Sequence, residues 1–177
     1  MKKTLLLFVS AILTQFAVAQ YKPVDEGSSI EFNVKHFGLK TSGAFSGLQG
    51  QITFDKNSLT DAKFDVSIDA SSIRTGVDMR DNHLRGEGYF EVTKYPQIRF
   101  VSTKITSNGK SEEFLISGQF TIKNHSKDIS FPFTATQTAS GFLFKGSFSL
   151  SRKDFEVGNS GVLSDNVDVL LSVSAIK

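Results

Sequence analysis

The sequence predicts an all-β chain that closes into an eight-stranded antiparallel up-and-down barrel. Three observations predict it. Apolar and polar residues alternate with period two in eight separate runs. Most links between the runs are short and rich in Asn, Ser, Gly and Lys, which joins neighbouring strands antiparallel. An open meander of long strands would leave two bare edges, and closure removes them. A two-sheet sandwich is the structural alternative.

The chain has 177 residues, 17 of them Phe, with three Tyr, no Trp and no Cys. That composition excludes a disordered tail, a disulfide-stapled miniprotein and a thiolate metal site. The length suits one domain with a sizeable core. The first segment reads as an address. Lys2 and Lys3 precede an apolar stretch from Leu5 to Phe16, and Ala17-Val18-Ala19 has the small-residue pattern of a signal-peptidase site. The apolar run is too short to span a bilayer, which takes about 20 residues. We therefore expect a signal peptide over 1–19, cleavage after Ala19, a mature domain over 20–177 without a transmembrane segment, and a periplasmic or secreted location. Removing Lys2 and Lys3 from the 20 basic residues leaves 18 against 18 acidic ones. No basic surplus remains, so nucleic acid is not an expected partner.

The strands follow in order. Ile30, Phe32, Val34 and His36 share one face of the first run. Leu48, Gly50, Ile52 and Phe54 share a face of the second, and Phe64, Val66, Ile68 and Ala70 of the third. A less regular run covers Gln97 to Ile105. Phe114, Ile116, Gly118, Phe120 and Ile122 mark the fifth, and Ile129, Phe131, Phe133 and Ala135 the sixth. Phe142, Phe144, Gly146, Phe148 and Leu150 mark the seventh. Val167, Val169, Leu171, Val173 and Ala175 mark the eighth. Turn-like segments at Lys56-Asn57-Ser58, Ser107-Asn108-Gly109-Lys110, Asn124-His125-Ser126 and Ala139-Ser140-Gly141 separate them. Residues 71–96 form a long insert in which Asp78 caps a short helix ending at Arg85, with Gly86 as its stop. The insert is expected over one barrel mouth, as a lid. The outward positions carry no apolar stripe that would demand a partner, and monomer and homodimer both stay open.

Eight strands sit at a threshold where a barrel is either filled by its own side chains or holds one small ligand. Ten Phe fall on the inward parity, which favours filling. The mid-strand glycines Gly50, Gly118 and Gly146 favour space instead, and on this reading Gly118→Leu blocks a ligand without unfolding the barrel. His36 is the polar group expected to face such a cavity, the alternative being a buried, hydrogen-bonded imidazole. The three histidines lack metal-site spacing, so no metal is expected. Asp165 and Asp168 more readily begin the last strand than form a catalytic pair. Arg152-Lys153-Asp154-Phe155 reads either as a charged turn or as an Arg that pairs with a lid carboxylate or a ligand head. No nucleophile motif is present, so no catalytic residue and no enzymatic activity are expected.

Taken together, certain segments resemble a known family. They are Arg80-Asp81-x-His83-Leu84-Arg85, Tyr89-Phe90-Glu91-Val92 and Lys94-Tyr95-Pro96-x-Ile98-x-Phe100. Val34-Lys35-His36, Gly43-x-Phe45-x-Gly47-x-x-Gly50, Ser72-Ile73-x-Thr75, Gly118-x-Phe120-Thr121-Ile122, Arg152-x-Asp154-Phe155 and Leu163-Ser164-Asp165-x-Val167 support them. The mature chain is similar to the YceI-like family of exported polyisoprenoid-binding proteins. Two departures stand out. Asn124-His125-Ser126 replaces a Gly-led turn, and Glu156-Val157 separates Phe155 from Gly158 where the family places Gly directly after Phe. The resemblance implies a lipocalin-like barrel that takes an isoprenoid lipid, such as a polyprenyl pyrophosphate or a quinone-like lipid, as ligand without any cofactor. It implies a periplasmic carrier or store. Enzymatic action on a bound lipid through His36 or His83, and a filled structural or stress-related barrel, are the alternatives. Phe32, Phe100, Phe120, Phe131 and Phe148 are the expected tail contacts. His36, Arg80, His83 and Arg152 are the expected head contacts.

Overall fold

A computed structural model describes residues 19–110, 112–159 and 161–177. The expected signal peptide over 1–19 lies, but for Ala19, outside the described residues. Eight antiparallel strands close in simple up-and-down order: β1 Gln20–His36, β2 Leu39–Thr53, β3 Lys63–Arg74, β4 Gln97–Ser107, β5 Glu113–Ile122, β6 His125–Gln137, β7 Gly141–Ser151 and β8 Leu163–Ile176. Pairing of β1 with β8, from Lys22↔Ile176 to His36↔Leu163, seals the barrel. The sandwich alternative falls because one continuous ladder runs through all eight strands.

The first strand is longer than its alternation implies. Gln20–Val24 pairs at one end and Ser29–His36 at the other, with a bulge between. The alternation is lost there because the ladder is interrupted, and side chains satisfy the freed backbone groups. The Asp25 carboxylate accepts from Gly47 N–H (3.0 Å) and Leu48 N–H (2.9 Å). Ser28 Oγ donates to Val24 O and accepts from Ser174 N–H at 2.8 Å. A second bulge between β2 and β3 is bridged by Ser72, whose Oγ accepts from Ser46 N–H at 2.9 Å.

The inward rings collect at one end. Phe54 is fully buried and meets Phe114, Phe142 and Phe144 edge to face at 5.3 to 5.4 Å between centroids. Phe64, Phe133 and Tyr21 belong to the same cluster, which continues up the barrel through Ile116, Phe100 and Phe131. Burying one such ring stabilises by about 2–3 kcal/mol, and each well-set pair adds roughly 0.5–1.5 kcal/mol. The result is a closed floor where β2, β4, β6 and β8 end. A second cluster of Ala70, Ile98, Ile122, Phe155 and Val157 lies under the insert at the opposite end. The Phe excess therefore does two jobs, plugging one end and leaving space above the plug.

The insert contains α1, Asp78–Arg85, as expected, but its capping differs. Val77 is the N-cap and makes no side-chain cap bond, so Asp78 is the first helical residue rather than the cap. Gly86 ends the helix with φ −77°, so it stops the helix in extended backbone rather than in the left-handed turn. The third turn also shifts. The two-residue link is Lys123-Asn124, with Lys123 in left-handed backbone (φ 58°), and His125 already starts β6. Of the mid-strand glycines, Gly50 and Gly118 do not border open space: a Cβ at Gly50 would run into Asp65 O, and one at Gly118 would run into Val101 O and lie 2.7 Å from Ser102 Cα. The register shift of β4 between Ser102 and Lys104 pushes its backbone against Gly118. The expectation that Gly50 and Gly118 are cavity glycines is corrected on this ground.

Candidate functional site

Between the aromatic floor and the insert lies a cavity of about 410 Å³. Its wall is almost wholly apolar. β1 supplies Ile30, Phe32 and Val34, and β8 supplies Val167, Val169, Leu171 and Val173. Period two places these side chains on the inner face without further instruction. The five expected tail residues, Phe32, Phe100, Phe120, Phe131 and Phe148, all line it. Four form one run of rings: Phe100 to Phe131 at 5.8 Å, Phe131 stacked on Phe148 at 4.7 Å, and Phe148 to Phe120 at 5.7 Å. Phe32 stands apart, packed on Phe45 at 5.6 Å and lying over Gly43, its cross-strand partner. A Cβ at Gly43 would fall 2.3 Å from the Phe32 ring, so glycine there makes room for it.

Most polar members of the wall gather at the other end, Glu31, Ser67 and Lys145 being the mid-strand exceptions. His36 ends β1, Thr41 begins β2, Thr75 follows β3, Arg80 and His83 belong to α1, and Arg152 follows β7. All four expected head residues, His36, Arg80, His83 and Arg152, are thus brought to one mouth, although they are up to 116 positions apart in the chain. His36 and His83 are exposed there rather than buried. His83 packs on Tyr89 at 4.8 Å and His36 on Phe37 at 4.7 Å. The alternative of a buried imidazole at His36 falls, because the strand end lifts the ring to the rim.

The charged motif in the insert is largely spent on holding α1. Arg85 donates to Ser71 O at 2.7 Å and Ile73 O at 2.8 Å. Arg80 donates to Thr75 Oγ1 at 2.7 Å and Thr75 O at 2.9 Å. Asp81 is buried and accepts from Thr75 N–H at 2.8 Å and from the Thr75 hydroxyl at 2.5 Å. That hydroxyl bond, helped by the nearby Arg85 and Arg80, holds the Asp81 carboxyl below its ordinary value of 3.8. The Lys123 ammonium does the same for Glu91, at 2.9 Å. A carboxyl held low stabilises the fold above its unfolded pKa and loses that contribution as the pH falls through the folded one. The insert should therefore loosen below about pH 4. Melting temperature measured from pH 7 to pH 3 checks this: the advantage of the native chain over Asp81→Asn shrinks on acidification, and a constant difference refutes it.

Arg152 is a different case from the other head candidates. It borders the cavity, yet its guanidinium is buried and engaged by the chain itself. It donates to Ser164 O (2.9 Å), Leu163 O (2.9 Å), Val157 O (3.0 Å) and Gly158 O, and meets Asp165 at 3.2 Å. It is neither a solvated charged turn nor a partner of a lid carboxylate. It clamps the 157–165 segment to the barrel. Beside it, Glu156 adopts left-handed backbone (φ 53°) at the position directly after Phe155. Glycine is the residue that takes this conformation at least cost. Here Lys123 Nζ, bonded to Glu156 O at 3.1 Å, holds the strained link. Glu91, the other partner of Lys123, is left-handed too (φ 47°).

Sequence reasoning missed several wall residues: Phe45, Tyr89, Phe90 and Leu84. Tyr89 and Phe90 lay in plain view in the insert motif, but no periodicity told which way a turn would aim them. Among the described residues, no three His, Asp or Glu side chains converge on a metal-sized site.

The family model of the YceI-like domain matches residues 21–175. A UPF0312 protein of Pseudomonas aeruginosa is 34% identical over 195 residues, covering 100% of this chain and 99% of its own. One from Yersinia pseudotuberculosis is 32% identical, covering 90% and 87%. Among solved structures, BcnA of Burkholderia cenocepacia superposes with a TM-score of 0.78 at 25% identity, over 85% of this chain and 96% of its own. A polyisoprenoid-binding domain from Saccharophagus degradans, implicated in plant cell wall breakdown, gives 0.71 at 16% identity, over 90% and 99%. The latter likeness is one of fold.

Proposed function

Since the chain belongs to the YceI-like domain family, we propose that it binds the apolar chain of an isoprenoid lipid in the barrel cavity. On this reading it is an exported carrier or store that leaves its ligand chemically unchanged. The observation that carries it is the division of the cavity: a largely apolar shaft with an aromatic floor, and a cluster of His36, Arg80, His83 and Arg152 at the mouth, whereas Glu31, Ser67 and Lys145 of the wall sit on the outward parity of their strands. That division matches a molecule with a long greasy tail and a small polar head. The polyisoprenoid-binding description of the Saccharophagus degradans neighbour points the same way. Each CH₂ drawn from water contributes about 0.8 kcal/mol, partly offset by ordering the tail.

Phe32, Phe100, Phe120, Phe131 and Phe148 would hold the tail. His36, Arg80 and His83 would face the head, with Arg152 keeping the rim in shape behind them. On β7 the wall runs from Phe144 to Leu150. Those six steps of roughly 3.3 Å, tilted near 40°, give a depth of about 15 Å along the axis. A longer polyprenyl chain has to fold back or leave through the mouth.

The test is to express the full chain with its own leader, isolate the exported protein without detergent, and combine native mass spectrometry with solvent extraction. About one isoprenoid molecule per chain, chemically intact, is the expected result. A clean apo mass that incubation with polyprenyl lipids and quinones does not change would overturn the reading.

A further inference from the structure

The barrel wall is clean, but its rim is not. Seven large apolar side chains are exposed among the described residues, and five of them stand at the mouth end. Phe37 (71% exposed) and Leu39 (74%) form the tip of the β1–β2 hairpin. Val77 caps α1 and Met79 (83%) lies in its first turn, and Val162 leads into β8. Phe37 N–H donates to Val162 O at 3.0 Å, which joins two of these segments. Only Leu115 and Leu170 lie elsewhere, singly, on the outer wall. Strand alternation says nothing about turns, which is why no such patch was expected from the sequence.

Two features at the tip work against local stability. Phe37 sits in left-handed backbone (φ 50°), in a turn where Asn or Gly fits without strain, and its ring gains little burial in return. Directly behind it Lys35 and Lys40 are register partners, a like-charge pair across the ladder. Both are exposed, and neither makes an ion pair among the described residues. Arg74 is exposed on the neighbouring strand; the opposing charges are Asp78 on α1 and Asp165 beside Lys35, the latter already paired by Lys153 and Arg152. Apolar tips backed by cations, set around the opening of an apolar shaft, complement the interface of an anionic bilayer.

We propose that the cavity mouth is a membrane-docking face. Phe37 and Leu39, with Val77 and Met79 across the opening, enter the head-group layer, and Lys35 and Lys40 meet lipid phosphates. The shaft then opens directly onto the bilayer, so an apolar tail passes between the two without crossing water. This holds whichever lipid fills the cavity, so it stands or falls separately from the isoprenoid reading.

Co-sedimentation of the full protein with vesicles tests it. Binding is expected to vesicles of phosphatidylethanolamine with phosphatidylglycerol, and to be much weaker with phosphatidylcholine alone. The double variant Phe37→Asn with Leu39→Ser, which suits the left-handed turn and leaves the core untouched, should lose about tenfold in vesicle affinity. Lys35→Glu with Lys40→Glu should lose binding to the anionic vesicles. Leu115→Ser with Leu170→Ser should bind as the native chain does. Equal sedimentation of the native chain and the Phe37/Leu39 variant overturns the proposal, as does failure of the native chain to bind either vesicle. A solution dimer that Phe37→Asn dissociates, without vesicle binding, would also overturn it and make this face a self-association surface.

Discussion

Gly146→Leu is expected to empty the cavity while leaving the barrel folded. Gly146 lines the shaft, and a Cβ there would lie 3.2 Å from the Phe131 ring edge and 3.2 Å from Pro132 O. The ring can yield by a few tenths of an ångström while the Pro132 carbonyl shifts with β6, so the stability cost should be about 1–3 kcal/mol. The rest of the leucine then projects into the space above the aromatic floor. Lipid recovered per chain should fall below about a tenth of native, because the side chain stands across the narrow shaft and denies a tail the burial below it. Gly118→Leu is the contrast. Its Cβ would meet the Val101 carbonyl oxygen and the Ser102 backbone, which have nowhere to go. It should cost roughly 3 kcal/mol or more, lowering the melting temperature by about 6–12 °C. Native mass spectrometry and thermal unfolding of the two variants decide the matter. Full lipid occupancy in a folded Gly146→Leu protein would show that the ligand does not occupy this shaft.

Arg152→Met should be the most destabilising single change at the mouth. It strips donors from the carbonyls of Val157, Gly158, Leu163 and Ser164 together, and it leaves Asp165 paired with Lys153 but not with Arg152. Hydrogen bonds from a charged group contribute about 1.5–3 kcal/mol each, and they are not additive. A total loss of about 3–4 kcal/mol is expected, a fall of roughly 6–16 °C in melting temperature. Arg152→Lys should recover only part of it, since an ammonium cannot reach in the several directions that the planar guanidinium spans. Hydrogen exchange should rise across 156–165 first. Lipid affinity per folded molecule should barely change, which separates a clamp from a head-group contact. A melting temperature within about 2 °C of native would sink this account.

How far the molecule was legible beforehand follows from the range of each signal. The inner faces were readable because alternation is local: Phe32, Phe120, Phe131 and Phe148 point inward in any register that keeps strand parity. Phe100 came through the resemblance, since its own run alternated poorly. That His36, Arg80, His83 and Arg152 share a mouth followed in outline, because strand ends of one parity meet at one end of a meander. Their roles did not follow. Whether an arginine meets a ligand or five oxygens of its own chain depends on where a distant segment lies, and Arg152 is set by residues up to thirteen positions on. The first half of β1 was missed because its bulge replaces the alternation with the side-chain bonds of Asp25 and Ser28.

By itself, then, the sequence determined an all-β barrel of eight strands with an apolar interior, a short helical insert and a familiar set of motifs. Period two and turn chemistry act over a few residues, so they survive without coordinates. Only the tertiary structure decided how that interior divides. The floor under the cavity exists because β2, β3, β5, β6 and β7 bring Phe54, Phe64, Phe114, Phe133, Phe142 and Phe144 to one level. Gly118 meets backbone because β4 shifts register opposite it. The exposed rim exists because turns carry Phe37 and Leu39 past the end of the barrel. Each of these depends on contacts between residues far apart in the chain, and alternation along one strand carries no information about its neighbour's register.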